Sequence, residues 1–190
     1  MAAPFYVQVL ASNRATGPTI STWTTAKSVI NLSDVVQLPV NWCQLGTKFR
    51  VRASGTMTIV GTTSGTVTFQ IMMGAVAAWS SGAIQLTTTA ESTGQTFIME
   101  AVVRVTTVDT SAATAATLLG TGYVTSLVTQ LGAGAAVPTV TDSINVLPAT
   151  APANGTAFGS AVTENIDFWI GFSTSGNVAL ITDYVVEQLQ

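Results

Sequence analysis

Apolar and polar residues alternate with a period of two over most of this chain. In 66–73, TVTFQIMM, Val67, Phe69, Ile71 and Met73 fall on one side and Thr66, Thr68 and Gln70 on the other. In 96–106, TFIMEAVVRVT, the apolar row Phe97, Met99, Ala101, Val103 and Val105 stands opposite Glu100 and Arg104. In 164–172, ENIDFWIGF, Ile166, Phe168, Ile170 and Phe172 alternate with Asn165, Asp167, Trp169 and Gly171. Successive side chains of a strand point to opposite faces, so each stretch reads as a half-buried strand. Further strands are expected near 5–10, 27–32, 57–60, 83–88, 117–129 and 178–188. Glycine-rich breaks separate them: GTTSG at 61–65 reads as a hairpin loop, and STSGN at 173–177 is another break. No stretch sustains a 3.6-residue period, and a short helical turn around 40–45 is the one exception expected.

Nine or ten strands with apolar faces must bury those faces, and two sheets packed together bury both. The expected fold is therefore all-β: a single β-sandwich with jelly-roll wiring, as one domain over 26–190. A chain of 190 residues is long enough to form such a core without staples. Residues 1–25 are set apart as a candidate N-terminal arm. Residues 132–163 carry three prolines, four glycines and little periodicity. That segment is expected to be a long irregular loop, either capping one end of the sandwich or lying on a neighbour.

Only 8% of the residues are charged, against about 25% in an ordinary soluble domain. Threonine, with 32 copies, keeps outer faces wet without charge and suits a pleated surface. A net charge of −3 is sparse for a solitary monomer and suggests that part of the surface is covered in use, a salt-tolerant monomer being the alternative. Cys43 is the lone cysteine, so an intrachain disulfide is excluded, and beside Trp42 it is expected to pack as a small apolar group. The first residues, MAAPFYVQVL, lack the basic start and unbroken apolar core of a signal peptide. The uncharged windows at 53–90 and 110–141 are too rich in Thr, Ser and Gln to span a membrane. A soluble chain is expected.

Catalytic chemistry is poorly provided for. The chain has no histidine, which removes Ser-His-Asp and Cys-His nucleophiles and the commonest metal ligand. One cysteine cannot build a thiolate zinc site. No glycine pattern resembles a phosphate cradle, and the nine acids are scattered without the clustering of a calcium loop. Two distant carboxylates could still meet to cleave a glycoside, as in a depolymerase. The acids on strands fit plainer roles, Glu100 paired with Arg104, and Asp183 and Glu187 facing solvent. No enzyme activity, cofactor or metal is expected.

The candidate partner-binding residues are Lys48, Arg50, Arg52, Trp23 and Trp169. In KFRVRASG, at 48–55, the three cations share one strand face while Phe49, Val51 and Ala53 point inward. Cations two apart on a strand stand roughly 7 Å from each other, and repel by only about 0.6 kcal/mol in water. The stripe therefore needs no partner to exist. Cross-strand pairing with Glu100 or Asp167 is the plainer reading, and docking on an acidic protein patch the functional one. Nucleic acid is not an expected partner, because three charges on a net acidic chain release few counterions. Trp169, in the outward phase of its strand, and Trp23, in the polar run STWTTAK, are candidate anchors. Burial under a loop or a neighbouring subunit is the plainer reading for these and for Trp42 and Trp79. Asn31 and Asn154 match the glycosylation pattern, which matters only in a secretory setting.

Several stretches resemble a family of small virion proteins of tailed bacteriophages. They are LPVNWCQLGTKFRVRASGTMTIV at 38–60, GTVTFQIMMG at 65–74, GAIQLTTTA at 82–90, LLGTGYVTS at 118–126, LPATAPANGTAF at 147–158 and YVVEQLQ at the end. The resemblance implies a virion component, specifically a capsid decoration or cement protein. Such proteins are often trimeric, sit on the outside of the shell over junctions of the major capsid protein, and resist pressure from packaged DNA. It implies no catalytic or ligand-binding residues. A carbohydrate-binding adhesin module of a tail or head fibre is the alternative, and no membrane partner is implied.

Overall fold

The computed structural model describes residues 7–13, 15–21, 24–60, 65–86, 92–108, 116–126, 129–130, 144–146 and 156–189. Among these residues the strands are β1 (Val7–Ser12), β2 (Ile20–Ser21), β3 (Lys27–Ser28), β4 (Val36–Leu38), β5 (Lys48–Ile59), β6 (Thr66–Met73), β7 (Val76–Ser80), β8 (Ile84–Leu86), β9 (Ser92–Thr107), β10 (Ala116–Ser126), β11 (Thr129–Gln130), β12 (Ile144–Val146), β13 (Thr156–Phe158), β14 (Glu164–Phe172) and β15 (Val178–Leu189). They form two antiparallel sheets packed face to face, an all-β sandwich. The first sheet runs β1-β15-β5-β9-β10-β12, with β2 also on β15 and β13 also on β10. The second runs β11-β8-β6-β14-β3, with β4 also on β14 and β7 also on β6.

The chain passes repeatedly between the two sheets. It goes from β1 to β4, back to β5, across to β6, and returns through β9; later β14 lies in the second sheet and β15 in the first. The orders β1-β15-β5-β9 and β4-β14-β6-β8 are those of a jelly roll, while β10, β12 and β13 widen the first sheet beyond it. GTTSG is accordingly not a hairpin loop. The flanking strands β5 and β6 belong to opposite sheets, although residues 61–64 themselves lie outside the described set. Alternation looks the same whether consecutive strands pair or face each other across a core, so periodicity did not distinguish the two.

The alternating apolar rows meet between the sheets. Phe69 on β6 is the hinge of the packing: its ring lies 5.3 Å from Phe97 of the first sheet and 6.2 Å from Phe168 of its own. All three rings are fully buried, and each contributes about 1.5–3 kcal/mol through the apolar area removed from water. At Gly120 on β10 the sheets approach so closely that a Cβ would lie 2.7 Å from the Cβ of Trp79 and against the Ala78 carbonyl oxygen. Glycine is required there by space, not by turn geometry.

Other local expectations change in three places. Residues 40–45 form a tight turn instead of a helical one: Asn41 has φ of 60°, a left-handed conformation that stops a right-handed helix and that Asn tolerates. Gln44 holds the turn, its side-chain amide donating to the Asn41 carbonyl at 2.7 Å and its backbone N–H to Thr47 Oγ1 at 3.1 Å. A single 3-10 turn falls instead at Leu32–Asp34. Within 132–163, β12 and β13 each pair with β10, while residues 131–143 and 147–155 lie outside the described set. From the 1–25 segment, β1 and β2 both pair with β15. No helix among the described residues is long and apolar enough to cross a membrane.

Candidate interaction surfaces

The cation stripe lies at the centre of the first sheet, on its outer face. Phe49, Val51 and Ala53 of β5 are buried, so Lys48, Arg50 and Arg52 are turned outward, as their phase requires. Arg50 stands opposite Glu187 of β15, Nε to Oε2 at 2.6 Å, and Arg52 opposite Glu100 of β9, at 3.6 Å. Glu100 therefore meets Arg52, as one of the two cross-strand pairings predicted, and not Arg104. Residues four apart along a strand are about 13 Å apart, whereas cross-strand neighbours are about 5 Å apart. Glu187, expected to face open solvent, is drawn onto Arg50 and keeps 13% of its side-chain exposure. Its carboxylate raises the guanidinium pKa further through the hydrogen bond they share.

Asp167, the other acid predicted for the stripe, is in the second sheet. It accepts hydrogen bonds from Trp169 Nε1 at 2.7 Å, Ser28 Oγ at 2.9 Å and the Phe168 backbone N–H at 2.7 Å. Burial pushes its carboxyl above the ordinary Asp range, and these three donors hold the rise in check. Trp169 is thereby half-buried and committed to a neighbour, though its outward placement is as expected. Trp23 and Asn154 lie outside the described residues. Trp79 is in the core at 3% exposure, and Asn31 donates from its side chain to the Thr16 carbonyl at 3.4 Å.

With both arginines matched, Lys48 and Arg104 remain directly opposite each other in the β5–β9 register, both exposed. Like charges placed this way repel. Asp183, the third acid on this face, pairs in register with Ser54, six residues along β5 from Lys48, roughly 20 Å away. The outer face of the first sheet thus holds four of the chain's six cations and is positive at one end. Half-buried or exposed Leu119, Val102, Val185, Ile98 and Val9 lie among these charges.

A second surface had no signal in the periodicity. A groove of about 550 Å³ runs between residues 9–12 on one wall and residues 33–39 with Trp42 on the other. It separates β1, the end strand of the first sheet, from β4, which lies on the outer side of β14 in the second. Of the nine large apolar side chains exposed among the described residues, Val9 and Trp42 line this groove, and Val7, Leu32 and Val40 lie within two residues of its lining in the sequence. Such clustering marks a contact surface more strongly than single exposed apolar groups do. Behind Trp42, Cys43 is 5% exposed; burial, with the Glu164 carboxylate nearby, pushes its thiol up to about 11. Glu164 is itself raised by burial, against a hydrogen bond from the Gly159 N–H. A thiol so far from ionisation packs and does not attack.

Among the described residues no group of three or more His, Cys, Asp or Glu side chains is placed to hold a metal ion. No family model, curated protein or solved structure matches this chain.

Proposed function

We propose that this chain is a non-enzymatic structural protein of a phage virion, a capsid decoration protein that binds the outside of the shell and stabilises the head. The observation that carries this reading is the outer face of the first sheet. A broad strand surface mixes apolar side chains with matched ion pairs and leaves Lys48 and Arg104 as a like-charged pair at its end. An acidic patch on the major capsid protein relieves that repulsion, and electrostatic complementarity sets partner choice and register. The family resemblance in 38–60 and the later segments supports the same assignment.

A decoration protein works by adding interface that must be broken before shell subunits part. About 800 Å² per partner is adequate for a specific contact, and repetition around the shell multiplies the effect. The test is to add purified chain to heads that lack it. Saturable attachment and raised heat resistance are expected. Reversing Lys48→Glu together with Arg104→Glu weakens attachment by about tenfold or more at low salt, and by less as salt rises. Heads that ignore the wild-type chain overturn the function; attachment indifferent to the double reversal overturns the face.

A second reading, an adhesin module, draws on Trp169 beside Gln70 on the outer face of the second sheet. It requires glycan binding by the isolated chain, lost on Trp169→Ala.

A further inference from the structure

We infer that a second copy of this chain docks on the edge formed by β1 and β4, which no other strand pairs with among the described residues, in a twofold arrangement that continues the two sheets across the interface. This edge adjoins the shell-binding face at Val9, which pairs in register with Glu187, but the inference does not depend on the proposed function.

Natural sheet edges are usually blunted by lysine, proline or inward charge, because an exposed edge pairs with whatever strand it meets. Here β1 reads VQVLAS and β4 reads VQL, with no charge and no proline in either. Blunting is by geometry instead: β4 is only three residues long and is followed by Pro39, and β1 is bulged between Val9 and Ala11, which leaves Val7–Val9 as the flat stretch. Both edges border the same groove. An unrelated extended peptide could extend only one of them, whereas a twofold copy sets β1 against β1 and β4 against β4 in a single operation.

The composition is complementary to itself. Gln8 and Gln37 sit at the middle of the flat stretch and of β4, and both are exposed. A side-chain amide donates and accepts, so glutamine meets its own copy without conflict where a charged residue would repel it. An axis at Gln8 puts Val7, 49% exposed, against Val9 of the second copy, 57% exposed. Trp42, on the groove wall beyond β4, is also exposed and is the kind of aromatic that interfaces favour. Asp34, in the groove wall, is 4% exposed and offers little surface to the incoming copy.

Sedimentation of the purified chain tests this. The expected species at micromolar concentration has twice the 19.5 kDa chain mass. Val9→Lys and Val7→Glu, each alone, weaken the dimer by about tenfold or more, with circular dichroism unchanged. Mixing the two variants restores it, because Lys at 9 then faces Glu at 7. A wild-type monomer at about 100 µM, a trimer, an unweakened Val9→Lys dimer or a mixture that stays monomeric would each overturn the inference. Should the variants fail to fold, amide exchange at Val7–Val9 of the wild type decides. It slows with rising concentration if the edge is paired, and concentration-independent exchange contradicts it.

Discussion

At the scale of single residues, burial sets the chemistry. Cys43 sits with its thiol near 11 instead of 9.0, so at neutral pH its thiolate fraction is about 100-fold below that of a free cysteine. Labelling with a thiol reagent in native buffer is expected to be slower by at least that factor, and to become fast on unfolding. Asp167 predicts the sign of a pH dependence. Its folded-state pKa is raised by burial, so the proton favours the folded chain. That stability is complete below the ordinary Asp pKa and is lost as pH rises through the raised one. Thermal melts at pH 7 and about pH 5 should therefore shift in favour of the wild type, relative to Asp167→Asn, on acidification. A shift the other way would mean that the three hydrogen bonds outweigh burial. The outward phase of Lys48, Arg50, Arg52 and Trp169 was legible in the sequence, because strand phase is a local property. Their partners were not: Glu187 lies 137 positions from Arg50, and only the strand order brings the two together.

At the scale of elements, the apolar rows of β5, β6, β9 and β14 were read from alternation and are the rows that form the core. Phe69 joins both sheets through Phe97 and Phe168, so Phe69→Ala leaves a cavity that neither sheet alone can close. It is expected to cost about 4 kcal/mol, measured by urea denaturation. A loss of under about 1 kcal/mol would mean that the rings are not packed as described. The short strands were invisible for a physical reason. β12 and β13 are three residues each and owe their extended form to the edge of β10, not to a pattern of their own. The turn at 40–45 was missed because one left-handed Asn, not a run of residues, decides it.

At the scale of the whole molecule, the sparse charge is unevenly spent. The outer face of the first sheet holds most of the cations, while the acids are spread over both sheets and their connections. That face also carries Glu100, Asp183 and Glu187, so its positive character is confined to the end with Lys48 and Arg104, where the proposed acidic partner would dock. In the function and the dimer proposed above, both surfaces act through shared area. The central claim is that the chain covers a phage shell, and the most direct measurement is its copy number per particle against the major capsid protein. On the order of hundreds of copies, in fixed proportion to the shell protein, is the predicted result, since each contact is modest and repetition supplies the strength. A handful of copies per particle, or none, would contradict it.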